Sequence, residues 1–253
     1  MKRRQFLQFS GAGLSLGLGL GWLGQERAIA QTGSVQIQWL GHTCFAFRSD
    51  GQTLLVNPFR AIGCTAAYRE PNLQADIVMI SSRLLDEGFV EGLPGNPRVL
   101  AESGIYQLGG LQIEGIPIAH DRVNGFRFGN NIMWNWRQAG MNILHMGGAA
   151  APVEVEQQIL IGRPDILLIP VGGGPKAYNA QEAADAIELL NPKLVIPTHY
   201  RTAAADPETC DVAEIDEFLE RMNGARISRY GSDTLTVGSP PTELTVGVFS
   251  YSF

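Results

Sequence analysis

"DILLIPVGGGPKAYNAQEAADAIELLNPKLVIPTHY", residues 165–200, holds a strand, a helix and a second strand in that order. "DILLIPVGG" is a fully apolar strand. The middle reads as a helix with a defined start and stop. Asn179 can cap it, Glu182 stands three residues on, and Pro192 follows its end. "KLVIPTHY" is the next strand. A β-α-β unit of this kind needs a layered α/β fold.

Upstream, the chain is strand-rich. "SVQIQWLG" alternates and ends at Gly41, and "TCFAFRSDGQTLLVNPF" is a hairpin turning at Ser49-Asp50-Gly51. "ADIVMIS" and "PRVLAES" are further strands, with "EGFVEGL" between them read as a short helix. Gly109-Gly110 and Ala139-Gly140 mark two more hairpins, and Trp134 and Trp136 share one strand face as packing residues. "EVEQQILIG" reads as a helix, and so does "DVAEIDEFLERMNG", with Asp211 as cap and Gly224 as stop. A β-rich close follows. Hairpins first and β-α-β units later give two sheets with helices outside them, with no linker and no second domain.

Residues 1–30, "MKRRQFLQFSGAGLSLGLGLGWLGQERAIA", stand apart. A basic start, a Gly/Leu-rich centre and an Ala28-Ile29-Ala30 end form a signal peptide pattern, cleaved after Ala30. Arg3-Arg4-Gln5-Phe6-Leu7 resembles the twin-arginine export signal. An ordinary secretory signal and an uncleaved anchor are the competing readings, but the apolar run is short for a membrane span. The expected mature domain is residues 31–253, in the periplasm, or in a thylakoid lumen if the source is photosynthetic. The leader carries four basic residues and one acidic, so the domain beyond it has net charge −9 against −6 for the whole chain. Such an acidic domain is a poor partner for nucleic acid or an anionic membrane. Of three cysteines, Cys44 lies in an apolar run and is expected as a buried thiol. Cys64 and Cys210 lie in loops expected at one rim, and an oxidising compartment favours their pairing.

His120, His145 and His199 each end a predicted strand, which brings them to one rim. The order "WLGHTCFAF…LLVNPF…ADIVMISSRLLDEG…IPIAHD…ILHMGG…DILLIPVGG…EAADAIELLNPKLVIPTHY" resembles the metallo-β-lactamase superfamily. Within it, the chain is most similar to the ascorbate-6-phosphate lactonase-like branch of zinc-dependent hydrolases. The resemblance covers residues 34–205. It implies a single-domain, four-layer αββα sandwich with a metal site at the shared edge of the sheets. It also implies two metals, usually zinc, held by an H-x-H-x-D-H loop, two later histidines and a bridging aspartate.

Carried onto this chain, the loop falls on "ISSRLLDEG", residues 80–88. Its first two histidines fall on Ser82 and Leu84, its aspartate is Asp86, and its last histidine is Glu87. The later histidines are His120 and His199. The bridging aspartate falls on Gly148, and a supporting aspartate on Asn57. Arg83 adds a cation beside the site. These replacements imply that the dinuclear centre is degenerate. One expectation is a protein without dinuclear hydrolysis that binds a small molecule or a protein partner in the old pocket. The other is a mononuclear hydrolase of a small ester, lactone or phosphate-bearing compound. It would hold at most one Zn, Mn or Fe ion on Asp86, Glu87 and His199, with His120 nearby, and Asp86 and His199 would be catalytic. His42 and His145 are expected in the pocket or behind it, with structural roles preferred. "VGGGPK", residues 171–176, lacks the spacing of a phosphate loop and reads as a turn at the site rim.

Overall fold

Three two-residue hairpin turns fix the strand pairing, and each uses a left-handed backbone. A computed structural model of the chain describes residues 33–251; the expected leader and its cleavage point lie outside the described residues. In chain order, β1 (Val35–Gly41), β2 (Cys44–Ser49), β3 (Gln52–Val56), β4 (Ile77–Met79), β5 (Arg98–Leu100), β6 (Gly104–Leu108), β7 (Leu111–Ala119), β8 (Asn130–Gln138) and β9 (Met141–His145) precede helix α1 (Val155–Ile161). Then come β10 (Ile166–Pro170), α2 (Ala180–Leu190), β11 (Leu194–Thr198), α3 (Asp216–Arg221), β12 (Arg226–Arg229), β13 (Thr234–Val237) and β14 (Thr245–Val248).

The turns fall at Asp50-Gly51, Gly109-Gly110 and Ala139-Gly140, all six residues with positive φ. Only such turns match the right-handed twist of the flanking strands. They set the registers Ser49↔Gln52, Leu108↔Leu111 and Gln138↔Met141.

One sheet has the order β13-β1-β2-β3-β4-β5, and the other β12-β14-β11-β10-β9-β8-β7-β6. Their inner faces meet through Phe47 against Trp136 and Phe45 against His145 and Phe249. Trp134 is fully buried in the same core. Strands β9, β10 and β11 run parallel, so α1 and α2 cross over on one face, away from the first sheet. Asn179 accepts the Gln181 and Glu182 backbone N–H groups, and the Glu182 carboxylate accepts that of Asn179. A cap of this kind is worth about 1 kcal/mol. Helix α2 buries Ala180, Ala183, Ala186, Ile187 and Leu190.

The αββα layering is uneven. The connections that follow β3 and β4 carry no α-helix, only a 3-10 turn at Gly63–Thr65. The short helix expected in "EGFVEGL" is absent: Phe89 N–H bonds the Pro58 carbonyl instead, and Gly92 takes φ 79°. The helix expected from Asp211 begins only at Asp216. Before it, Ala213 gives its N–H to Gly172 and takes one from Arg201, which holds this stretch extended. Among the described residues, no helix is long and apolar enough to cross a membrane.

Cys64 and Cys210 are joined across 146 residues of sequence, while Cys44 is a buried thiol. The bond ties the loop after β3 to the loop after β11. A thiol assay on denatured, unreduced protein is expected to count one thiol per chain; a count of three would show that this bond does not form.

Candidate metal centre

Strand direction alone brings the histidines together. Because β1 and β3 both run antiparallel to β2, and β4 runs parallel to β3, their C-terminal ends share one rim. His42, Asn57 and Ser81 follow those ends. In the second sheet, β7, β9 and β11 end beside His120, His145 and His199. The two rims face each other, with the His42 and His199 ring centroids 4.3 Å apart.

Local backbone then aims the side chains. Gly41 takes φ 110°, and a Cβ there would overlap the Tyr68 ring. His42 and His199 each take φ 51°. A left-handed backbone costs a non-glycine residue about 1 kcal/mol or more, so the surrounding packing imposes it. At Gly172, a Cβ would overlap the His199 carbonyl, so glycine is needed where the β10 and β11 ends close on each other.

Among the described residues, His42, Asp86 and His199 are the one group of three such side chains whose ligand atoms all lie within 4.8 Å of one another. His42 thus stands in the centre, not behind it. Glu87 is outside this trio. Its fully buried carboxylate accepts Ser82 Oγ at 3.1 Å and lies 3.4 Å from His120 Nε2. At Gly148, a Cβ would overlap His120 Nε2 and lie 2.7 Å from Glu87 Oε1, so the Glu87–His120 pair takes the room a side chain would need. Asn57 accepts the Ser81 backbone N–H and faces Thr43. Leu84 contributes only backbone: its N–H donates to Ser82 Oγ, and its carbonyl accepts the Glu87 N–H.

The cation expected from Arg83 comes from elsewhere. Arg83 is 75 % exposed and pairs with Glu102 at the surface. The ammonium inside belongs to Lys176, which bonds the Asp86 carboxylate. The glycines of "VGGGPK" were its one sequence signal, since they mark a loop that approaches other backbone closely.

His145 is a structural residue. Its Nδ1 accepts the Gly147 N–H at 3.1 Å, so the ring proton sits on Nε2 and is donated to the Thr43 carbonyl at 2.9 Å. Burial pushes its pKa down to about 4.

Burial also pushes His42 down to about 4 and His199 to about 3, and lowers His120. All of these rings are neutral near pH 7, the form that binds a metal. Burial would raise the Asp86 carboxyl, but the Lys176 ammonium bonded to it brings it down to about 2. His42 Nε2, both ring nitrogens of His199 and His120, and Glu87 Oε1 are buried without a hydrogen-bond partner. Buried polar atoms are normally paired, and a divalent cation held with Asp86 would satisfy His42 Nε2 and one His199 nitrogen, so these donors fit a metal.

A model of the beta-lactamase superfamily domain matches residues 36–199. The chain belongs to the metallo-β-lactamase superfamily. The UPF0173 metal-dependent hydrolase of Thermococcus onnurineus is 29% identical to it over 206 residues, spanning 69% of this chain and 89% of that protein. The namesake from Pyrococcus furiosus is 28% identical over 69% of this chain and 89% of its own length. A candidate Zn-dependent hydrolase of the superfamily from Thermotoga maritima superposes with TM-score 0.69 at 29% identity, covering 85% of this chain and 98% of that one.

The lowered histidine pKa values carry a sign. Below 6.5 the unfolded chain takes up protons that the buried rings refuse, so stability is full above 6.5 and falls as pH drops toward about 4. The depressed carboxyl of Asp86 adds its own loss only below 3.8. Melting temperature is expected to fall across the upper window in the wild type, and less steeply in His145→Gln. Equal slopes would mean that His145 is not held neutral.

Proposed function

We propose that this chain is a metal-dependent hydrolase with a mononuclear centre, its ion held by His42, Asp86 and His199. The observation that carries this reading is the convergence of two neutral imidazoles and one carboxylate, with His42 Nε2 and both His199 ring nitrogens lacking other partners. Zn, Mn and Fe all suit such a donor set. Bound there, the ion would supply Lewis-acid polarisation of a carbonyl or phosphoryl oxygen and acidify a water.

The chain's own residues do the rest. Asp86 and Lys176 are the more open groups, at 25% and 17% exposure, so substrate reaches the centre on their side. Glu87 Oε1 is left without a partner while Oε2 is held by Ser82, and it is the proton acceptor proposed here. Small esters, lactones and phosphate-bearing compounds remain the substrate classes proposed. The original dinuclear layout is read as altered, with Gly148 in place of a bridging carboxylate. Export by the twin-arginine route stays part of the proposal; the Cys64–Cys210 bond supports an oxidising compartment.

One observation favours a second reading, in which the protein binds a ligand without hydrolysing it: Lys176 already neutralises Asp86. Metal content by mass spectrometry separates the two. About one equivalent of metal is expected in the wild type, and far less in Asp86→Ala and His42→Ala. No metal in folded wild-type protein would favour the second reading.

A further inference from the structure

Lys176 sits where a cation is wanted and is held there from behind. Its loop leaves β10 through Gly173 and Gly174, both with positive φ. Arg122 clamps the loop on both sides of the lysine, donating to the Gly174 carbonyl at 2.8 Å and the Ala177 carbonyl at 2.9 Å. The same guanidinium grips both Glu182 oxygens, at 2.8 and 2.6 Å, and so ties the loop to the first turn of α2. The loop backbone is therefore fixed, and the lysine stem points into the centre. Its ammonium bonds the same carboxylate that completes the metal-ligand trio.

We infer that the Lys176 ammonium and a divalent metal ion are alternative occupants of the Asp86 carboxylate, so that Lys176 sets the metal affinity of the centre. The inference rests on the metal-centre reading above. A carboxylate bonded to an ammonium has less charge to offer a metal, and two cations crowded on one oxygen pair repel in a poorly solvated site. Lysine suits such an exchange because its charge is a point on a flexible four-carbon stem. The backbone clamp keeps the loop in place while the stem swings toward solvent, where the side chain is already 17% exposed. When the ion leaves, the ammonium returns and no bare carboxylate is left buried. The centre would thus be loaded only where metal is plentiful, and would stay folded when empty.

The test is a Co²⁺ titration of the full chain, read by the visible absorbance of the bound ion. Lys176→Met and Lys176→Gln are each expected to bind about tenfold more tightly than wild type, and Lys176→Arg close to wild type. Equal or weaker binding in the neutral variants overturns the inference and leaves the metal centre standing. No binding by any folded variant overturns both. A second readout needs no substitution. Amine acylation of wild-type Lys176, followed by peptide mass spectrometry, is expected to rise when Co²⁺ is added; unchanged labelling at saturating metal overturns the inference.

Discussion

The His145 ring holds the rims of the two sheets together. It ends β9 in the second sheet, and its Nε2–H reaches the Thr43 carbonyl in the turn that leaves β1 of the first. One further link runs beside it: Ile132 N–H bonds the Ser81 carbonyl across the same gap. Within the first sheet, Asn57 accepts the Ser81 N–H. Asn131 completes the set by donating to the Met146 carbonyl and accepting the Gly148 N–H. Every one of these residues is buried, and a buried polar group without a partner is costly. The rims therefore close in one arrangement. That arrangement places His42 against His199 and Glu87 against His120.

The centre so formed is short of bulk water but not of charge. Asp86 meets Lys176, while the imidazoles around them stay neutral through burial. The backbone bears part of the cost. His42, Asn57 and His199 all take positive φ, and each lies at the end of a strand that points at the centre. Elsewhere in the fold, positive φ occurs mainly in turns, as at Asp50 and Ala139, where the geometry serves chain reversal. At the rim it serves to aim a side chain inward.

Tertiary bonds overrode local propensity in two places. Residues after Asp211 have a helical pattern, yet Ala213 is taken by Gly172 and Arg201 before a helix can start. "EGFVEGL" has a short helical pattern, yet Phe89 is held by Pro58. Both segments lie beside the rim, where closing the site outweighs about 0.5 kcal/mol per residue of helix preference.

The sequence by itself determined the two sheets, the three hairpin turns, the capped helix α2 and the convergence of three strand-end histidines on one rim. Each follows from periodicity or turn chemistry within about a dozen residues, which is the range over which such signals act. The family pattern marked Asp86, Glu87, His120 and His199 as well. What only the tertiary structure decided was who stands next to whom. His42 joined Asp86 and His199 because β1 and β11 close on each other from different sheets. Lys176 met Asp86 across 90 residues of sequence, and Glu87 turned to His120. Partnerships of this kind are set by the packing of whole sheets, and no spacing along the chain records them.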